Sequence, residues 1–167
     1  DEVIYCAATG YAANIETAQT IRQVELKKST DEIKLVDTPN KSTIEEVCDL
    51  LKEKQEHSLK SLIYKITNDK SEESFALVIL LGDDTLNELK LKKLYPGCEI
   101  EPATDNEMKS LCLEKGYIGP YKLEVELDRI YDNAVDLTCS YIIGANQEDK
   151  HYASFVPSRD SNSTQKA

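Results

Sequence analysis

The strongest constraint on the fold is an unbroken apolar run at residues 75–81, which reads FALVILL. A membrane-spanning helix needs about 18 or more such residues, so this run is too short to cross a bilayer. Its length is that of one buried strand, and continuous apolar character is typical of a strand in the interior of a sheet. Gly82, Asp83 and Asp84 follow it and favour a turn. We therefore predict a central β-strand at this position.

On either side of this run, patterns typical of strands and of helices alternate along the chain. Further strands are predicted at residues 3–8, 59–66, 122–127, 139–143 and 152–156. Helices are predicted at residues 11–18, 43–51, 85–94 and 105–114. A linker is predicted at residues 27–42, a hairpin loop at 68–74, and disorder over the last ten, polar residues. Because strands and helices interleave, we expect an α/β fold with a mixed β-sheet and surrounding helices.

Three of the predicted helices open on capping-box spacing, in which a threonine is followed three residues later by a glutamate. The pairs are Thr43 with Glu46, Thr85 with Glu88, and Thr104 with Glu107. Gly116 stands where a glycine would cap the end of the third helix. These caps predict where the helices at residues 43–51, 85–94 and 105–114 begin, and where the last of them ends.

The chain of 167 residues carries a formal net charge of −11. Affinity for nucleic acid comes largely from lysine and arginine side chains that neutralise phosphates. We therefore expect any nucleic acid to be contacted over a few nucleotides, or to be held by another part of a larger protein. The chain begins at Asp1 rather than methionine, which suggests a fragment. It carries neither a secretory signal nor a membrane span, so a cytoplasmic protein is expected.

Five cysteines are scattered along the chain, at positions 6, 48, 98, 112 and 139. None forms a Cys-x-x-Cys pair and only two histidines are present, so no metal site is expected. The odd number argues against a disulfide framework. The ordinary interpretation is that these are reduced, buried thiols.

Lys65 lies inside an apolar strand, on the same face as Ile63. The ordinary interpretation is a lysine on the solvent face, and the functional one is a cation at the mouth of a pocket. The segment from Gly116 through Gly119 to Pro120 forms a tight loop. It is either a helix stop followed by a turn or a source of backbone N–H groups that point at a carbonyl oxygen.

His151 follows a turn that begins at Gly144 and lies at the start of a strand. A lone histidine is more often structural than catalytic, and its ordinary pKa alone proves nothing. Asp128 and Arg129 lie at the end of the alternating segment and are interpreted as a local ion pair of little energetic value.

Taken in order, these four features and two others resemble the insertion (editing) domain of bacterial-type prolyl-tRNA synthetases, which belongs to the aminoacyl-tRNA deacylase superfamily. The stretches that carry the resemblance are residues 11–14, the strand of Lys65, Gly82 and Asp83 with residues 86–90, the loop 116–120, residues 127–129, and residues 144–146 with His151 and Tyr152. The synthetase's aminoacylation motifs are absent, so the chain resembles one domain of a larger enzyme. Residues 1–20 would lead in from the synthetase core, 21–157 would form the editing domain, and 158–167 a polar tail.

The resemblance implies a deacylase that hydrolyses mischarged Ala-tRNA(Pro), with water as the nucleophile. It implies catalytic roles for Lys65, Gly116, Gly119, Pro120 and His151. It implies substrate-binding or supporting roles for Asn87, Lys90, Asp128, Gly144, Ala145 and Asn146. The family's helix at residues 43–51 would wall the amino-acid pocket.

The resemblance implies no metal and no cofactor for editing, because ATP and magnesium would serve the absent synthetase core. The implied partners are the alanine-charged acceptor end of tRNA(Pro) and the rest of a prolyl-tRNA synthetase chain, with no membrane. Three alternatives stay open: a deacylase for Cys-tRNA(Pro) or another small aminoacyl-tRNA, an inactive structural or tRNA-positioning insertion, and an unrelated binding domain.

Overall fold

The computed structural model describes residues 3–14, 18, 26–161 and 165–166, and the elements below are those of this part of the chain. The strands are β1 (Val3–Cys6), β2 (Tyr11–Asn14), β3 (Lys34–Asp37), β4 (Leu59–Thr67), β5 (Glu73–Leu81), β6 (Glu99–Pro102), β7 (Asp128–Tyr131), β8 (Tyr141–Gly144), β9 (Lys150–Phe155) and β10 (Gln165–Lys166). The helices are α1 (Ile44–Leu51), α2 (Glu88–Leu94), α3 (Asp105–Ser110) and α4 (Pro157–Asp160). No helix in these residues is long and apolar enough to span a membrane.

The apolar run lies in β5, the middle strand of a five-stranded sheet with the order β10-β7-β5-β4-β6. β5 pairs antiparallel with β4 from Leu59 opposite Leu81 to Thr67 opposite Glu73. On its other edge β5 pairs parallel with β7, and β6 pairs antiparallel with β4. The predicted central strand and mixed sheet are therefore confirmed.

A second, antiparallel sheet has the order β3-β9-β8. An isolated bridge between Ser58 and Ile142 joins the beginning of β4 to β8. This junction brings the start of the long central hairpin against the end of the smaller sheet.

Side-chain alternation along β4 and β5 divides the apolar residues between two sides of the main sheet. One cluster includes Leu59, Ile63, Leu77, Ile79, Met108, Ile118 and Tyr141. The other includes Tyr64, Ile66, Val78, Leu80 and Leu91, the last from α2. Burying one such Leu, Ile or Val side chain stabilises the fold by about 1.5–3 kcal/mol, so both faces of this sheet contribute to folding.

Two of the three predicted capping boxes are confirmed. Thr43 caps α1 and Thr104 caps α3, each with its glutamate bonded back to the cap. The third is wrong, because Asn87 rather than Thr85 caps α2 by accepting the N–H groups of Leu89 and Lys90. Asn87 lies directly before the first helical residue, where a short polar side chain reaches the free N–H groups.

The end of α3 also differs from the prediction. The helix stops at Ser110 instead of residue 114, because Cys112 adopts a left-handed φ of 57° and the Leu113 N–H returns to the Met108 carbonyl. Gly116 therefore does not cap this helix.

Two helix and loop predictions near the N-terminus are corrected. Residues 11–14 form β2 instead of the start of a helix, because β1 offers a pairing partner across a turn with Gly10 at φ 68°; residues 15–17 lie outside the described part. The predicted linker at residues 27–42 contains β3, which pairs with β9. Cross-strand hydrogen bonds outweigh local propensity at both places.

The predicted strand at residues 122–127 is wrong as well. Pairing between β5 and β7 begins only at Asp128, opposite Ala76. The apolar side chains of this segment, from Leu123 to Leu127, pack against the core without a strand partner. The alternating pattern arises because every second side chain of this segment is buried, although its backbone pairs with no strand. In the tail predicted to be disordered, β10 pairs parallel with β7, while residues 162–164 and 167 lie outside the described part.

Candidate active site

A cavity of about 350 Å³ lies where the start of β4 meets the end of β8. Its wall is formed by residues from α1, β4, the segment after β6, the 115–118 loop and the smaller sheet. The lining residues are Ser42, Ile44, Val47, Ser58 to Tyr64, Pro102, Ala103, Met108, Lys115, Gly116, Ile118, Ile142 to Gly144 and His151. Three predicted site residues, Gly116, Gly144 and His151, are thus brought together.

The 116–120 loop lies directly against the end of β8, backbone to backbone. A Cβ atom on Gly119 would overlap the carbonyl oxygen of Gly144, and one on Gly144 would overlap the carbonyl oxygen of Tyr117. Glycine is required at both positions because nothing larger than hydrogen fits. Gly119 and Gly144 therefore hold the loop at the edge of the cavity.

Asn146 ties this loop to the β8–β9 turn. Its Oδ1 accepts the Gly119 N–H at 2.8 Å, and its Nδ2 donates to the Tyr121 carbonyl at 2.9 Å. Its own N–H donates to the Tyr117 carbonyl at 2.8 Å. Asn146 therefore braces the loop. Neither Ala145 nor Asn146 is among the described residues that line the cavity, and their predicted contacts with substrate stay predictions.

Only some of the loop's backbone donors are available to a ligand. The Tyr117 N–H donates to Glu114, the Gly119 N–H donates to Asn146, and Pro120 has no N–H. Within the described residues, the N–H groups of Gly116 and Ile118 have no acceptor, and both residues line the cavity. These two donors can receive an oxygen that develops negative charge.

His151 is 5% exposed, and its Nδ1 lies 2.7 Å from the hydroxyl of Thr38, which is fully buried. The Tyr117 ring packs beside it at a centroid distance of 5.7 Å. Burial lowers the pKa of His151 to about 4, so the ring is neutral at neutral pH. A neutral ring with one nitrogen held by Thr38 can shape the cavity and exchange one hydrogen bond with a ligand.

Lys65 is not among the lining residues. Its Nζ lies 2.7 Å from Glu101, 3.0 Å from Glu107 and 3.9 Å from Glu73. The hydrogen bonds that Lys65 donates to Glu101 and then to Glu107 raise the pKa of Lys65 above its ordinary value. Its ammonium group is committed to carboxylates, and its predicted contact with substrate stays a prediction.

Lys60, five positions earlier on β4, does line the cavity and has no ion pair among the described residues. Lys115 also lines it, with Asp105 3.1 Å from its Nζ. Two lysines but no aspartate or glutamate line the cavity among the described residues, so this wall is locally basic although the chain is strongly acidic. Sequence reasoning missed Lys60 because β4 carries two lysines and strand alternation does not say which one reaches a ligand.

Ser61 was also missed. The residue lines the same cavity, and its Oγ is buried and has no hydrogen-bond partner in the described part of the chain. Nothing in the local sequence distinguishes this serine from the others.

Three predicted substrate-binding residues are not brought to the cavity. Asn87 caps α2, and Lys90 of α2 donates from Nζ to the Ala18 carbonyl at 2.8 Å. Asp128 lies near Tyr95, whose pKa is raised to about 12 by burial first and then by this carboxylate. The predicted ion pair between Asp128 and Arg129 is absent, because adjacent residues on β7 face opposite sides of the sheet.

The described residues contain no group of three or more His, Cys, Asp and Glu side chains that could hold a metal ion. The polar groups that the described lining residues carry are backbone N–H groups, hydroxyls, the neutral imidazole of His151 and the ammonium groups of Lys60 and Lys115.

This fold and cavity define an α/β domain with an apolar, locally basic pocket and two free backbone donors at its edge. The model of the aminoacyl-tRNA editing domain family matches residues 38–155. The chain belongs to this family, and the resemblance and the α/β deacylase fold expected from the sequence are confirmed.

Two proline–tRNA ligases are among the similar proteins. That of Fusobacterium nucleatum subsp. nucleatum is 38% identical over 160 residues, which cover 96% of this chain and 28% of the relative. That of Trichlorobacter lovleyi is 37% identical over 161 residues, with 96% and 27% covered. The chain thus spans less than a third of the length of these relatives.

Two crystal structures share the fold. One, described as a candidate trans-editing enzyme for prolyl tRNA synthetase, matches with a TM-score of 0.68 and 19% identity over 81% of this chain and 84% of that one. A hypothetical protein matches with a TM-score of 0.64 and 22% identity over 77% and 83%. At these identities the likeness shows the fold alone.

Proposed function

We propose that this domain is a deacylase that removes alanine from mischarged tRNA(Pro). The observation that carries the proposal is the pair of unpaired N–H groups, of Gly116 and Ile118, at the edge of the cavity. Family membership supports action on an aminoacyl-tRNA. The proline–tRNA ligase relatives support tRNA(Pro) as the carrier and the rest of such a ligase as the partner.

A second site is needed because a pocket shaped for proline cannot strongly reject the smaller alanine. Each missing methylene costs only about 1–3 kcal/mol of discrimination. The cavity described above would select in the opposite sense, by admitting a small side chain and excluding a bulkier one. The aliphatic side chains in its wall are Ile44, Val47, Ile63 and Met108. Aliphatic side chains in this wall provide size selection without polar readout.

Catalysis would begin when water adds to the ester carbonyl carbon. The N–H groups of Gly116 and Ile118 would stabilise the negative charge that grows on the carbonyl oxygen. The bond from the carbonyl carbon to the ribose oxygen then breaks, and the proton lost by water ends on that oxygen. The products are free alanine and tRNA(Pro) with a restored hydroxyl. An aminoacyl ester is already activated, so no Ser-His-Asp arrangement is required.

Lys60 would supply the cation that meets the terminal phosphate or the carbonyl side of the adenosine. This assigns to Lys60 the role predicted for Lys65, whose ammonium is held by Glu101 and Glu107. His151 would contribute shape and one hydrogen bond, because its lowered pKa makes it a poor carrier of a proton at neutral pH. Gly119, Pro120 and Asn146 would hold the loop in place.

The test is single-turnover deacylation of Ala-tRNA(Pro), with Pro-tRNA(Pro) and Cys-tRNA(Pro) in parallel and the chain in excess. The same residues are also placed in the Fusobacterium nucleatum ligase, where retained proline charging shows that the chimera folds. We expect loss of alanine but not proline, and faster loss in the chimera because the ligase grips the tRNA. If only Cys-tRNA(Pro) is hydrolysed, the substrate is reassigned to the cysteinyl ester. If the chimera hydrolyses none of the three esters faster than buffer does, the domain is a structural insertion.

A further inference from the structure

The Ser61 hydroxyl is one of two buried side-chain polar atoms without a hydrogen-bond partner in the described residues, the other being Nε of Arg129. Ser61 lies on β4 opposite Ile79 and lines the cavity beside Lys60. A buried hydroxyl that makes no hydrogen bond destabilises a protein, so such groups are rare and call for a specific explanation.

A nearby serine shows that a hydroxyl in this cavity wall can find a hydrogen-bond partner within the protein. Ser58, in the same cavity wall, donates from Oγ to the Gln55 carbonyl at 2.6 Å. Alanine at position 61 would remove the orphaned atom and keep the strand. A serine left without a partner inside a ligand-sized cavity indicates that a bound molecule supplies the partner.

We propose that Ser61 Oγ accepts a hydrogen bond from the α-amino group of the bound aminoacyl ester, an inference that rests on the proposed deacylase function. The cavity already provides donors for the carbonyl oxygen and for phosphate, namely Gly116, Ile118 and Lys60. The amine requires an acceptor instead, and none of the lining residues that the structure describes carries a carboxylate. Ser61 offers a neutral oxygen whose lone pairs are free.

The role is one of positioning, because holding the amine orients the ester carbonyl toward the loop N–H groups. Serine is not assigned as a nucleophile, since His151, the histidine that lines the cavity, has its Nδ1 committed to Thr38. Loss of the hydroxyl should therefore slow the reaction without abolishing it.

The experiment compares the native chain with Ser61→Ala in single-turnover deacylation of Ala-tRNA(Pro) and of propionyl-tRNA(Pro), which lacks the amine. We expect Ser61→Ala to slow the alanyl ester roughly tenfold, the factor that one neutral hydrogen bond corresponds to, and to leave the propionyl ester unchanged. Ser61→Thr, which keeps the hydroxyl, should restore most of the alanyl rate.

The midpoint of thermal unfolding distinguishes this role from a structural one. Loss of a serine that stabilises the fold would lower the midpoint. Ser61→Ala should keep or raise the midpoint, because it removes an unsatisfied buried atom, whereas Ser58→Ala should lower it by losing the bond to Gln55. A lower midpoint for Ser61→Ala would overturn the proposal.

The kinetic outcomes separate this inference from the function on which it rests. If the native chain and the ligase chimera hydrolyse neither ester, the proposed function fails. If the native chain is active and Ser61→Ala matches it, only the role of Ser61 fails. Equal slowing of both esters would overturn the contact with the amine, because the hydroxyl would then serve a group that the two esters share.

Discussion

Thr38 Oγ1 lies 2.7 Å from Nδ1 of His151, although the two residues are 113 positions apart in the chain. Thr38 is fully buried, and it follows the strand β3 that pairs with the strand of His151. The bond holds one ring nitrogen inside the protein, so only the other is available to the cavity. The orientation of the cavity's histidine thus depends on a residue from a segment that we predicted to be a linker.

Replacing Thr38 with valine should test this bond. Valine has the same shape but leaves Nδ1 of His151 buried without a partner, which should lower the free energy of unfolding by about 1–3 kcal/mol. Thr38→Ser keeps the hydroxyl and serves as the control. Urea unfolding gives both values, and equal stability of the two variants would contradict the role of the bond.

The pH dependence of stability should carry the signature of His151. Its folded pKa of about 4 lies below its ordinary value of 6.5, so the unfolded chain binds the proton first as the pH falls. The free energy of unfolding should therefore decrease from pH 6.5 to about 4, by about 3 kcal/mol at most, and this group should contribute no slope above that range. His151→Gln should lack this component while it keeps the slope due to carboxylates. Parallel pH profiles for the two proteins would refute the assignment.

Asn146→Ala should disturb the loop without touching the cavity wall. It leaves the Gly119 N–H and the Tyr121 carbonyl without their partners. We expect a loss of about 1–3 kcal/mol in the free energy of unfolding and slower deacylation, because the Gly116 and Ile118 donors would lose their position. Asn146→Asp keeps the acceptor for Gly119 and should retain more activity. Gln147→Ala, an exposed neighbour, is the control for the turn.

The two lysines of β4 can be separated by alanine substitution. Lys60→Ala should leave the melting temperature nearly unchanged and strongly reduce deacylation, because Lys60 lines the cavity without an ion pair in the described residues. Lys65→Ala should lower the melting temperature, because Glu101 and Glu107 lose their shared cation. If only Lys65→Ala lost activity while it remained folded, the role first predicted for Lys65 would stand instead.

Gly116→Ala should lower the free energy of unfolding by more than the unfavourable backbone conformation alone explains. Gly116 has φ 91°, and an added Cβ would lie 2.9 Å from the Cβ of Ser42. Gly97 has a similar φ of 82° with open space around it, so Gly97→Ala measures the conformational cost alone, about 1–2 kcal/mol. Thermal and urea unfolding should show the larger loss at Gly116, together with lower activity. Equal losses would mean that Ser42 moves aside freely.

The features predicted correctly are those that depend on neighbours within a few residues. An unbroken apolar run correctly predicted the central strand at residues 75–81. A threonine with a glutamate three residues later correctly predicted the starts of α1 and α3, although the same spacing failed at Thr85 and Glu88. The ordered resemblance gave the family, which the match over residues 38–155 confirms. Such patterns are local because helix caps and strand burial are decided over one or two turns of chain.

The contents of the cavity were decided by contacts between distant segments. Pairing of β4 with β5 and β6 placed Lys65 among three glutamates, while Lys60 and Ser61 line the cavity. The second sheet carried Thr38 to His151. A lysine, serine or threonine has the same local pattern whether it faces a ligand, a carboxylate or water. Only the pairing of strands across the sheets selects among these neighbours, because each partner comes from a part of the chain that the local sequence does not specify.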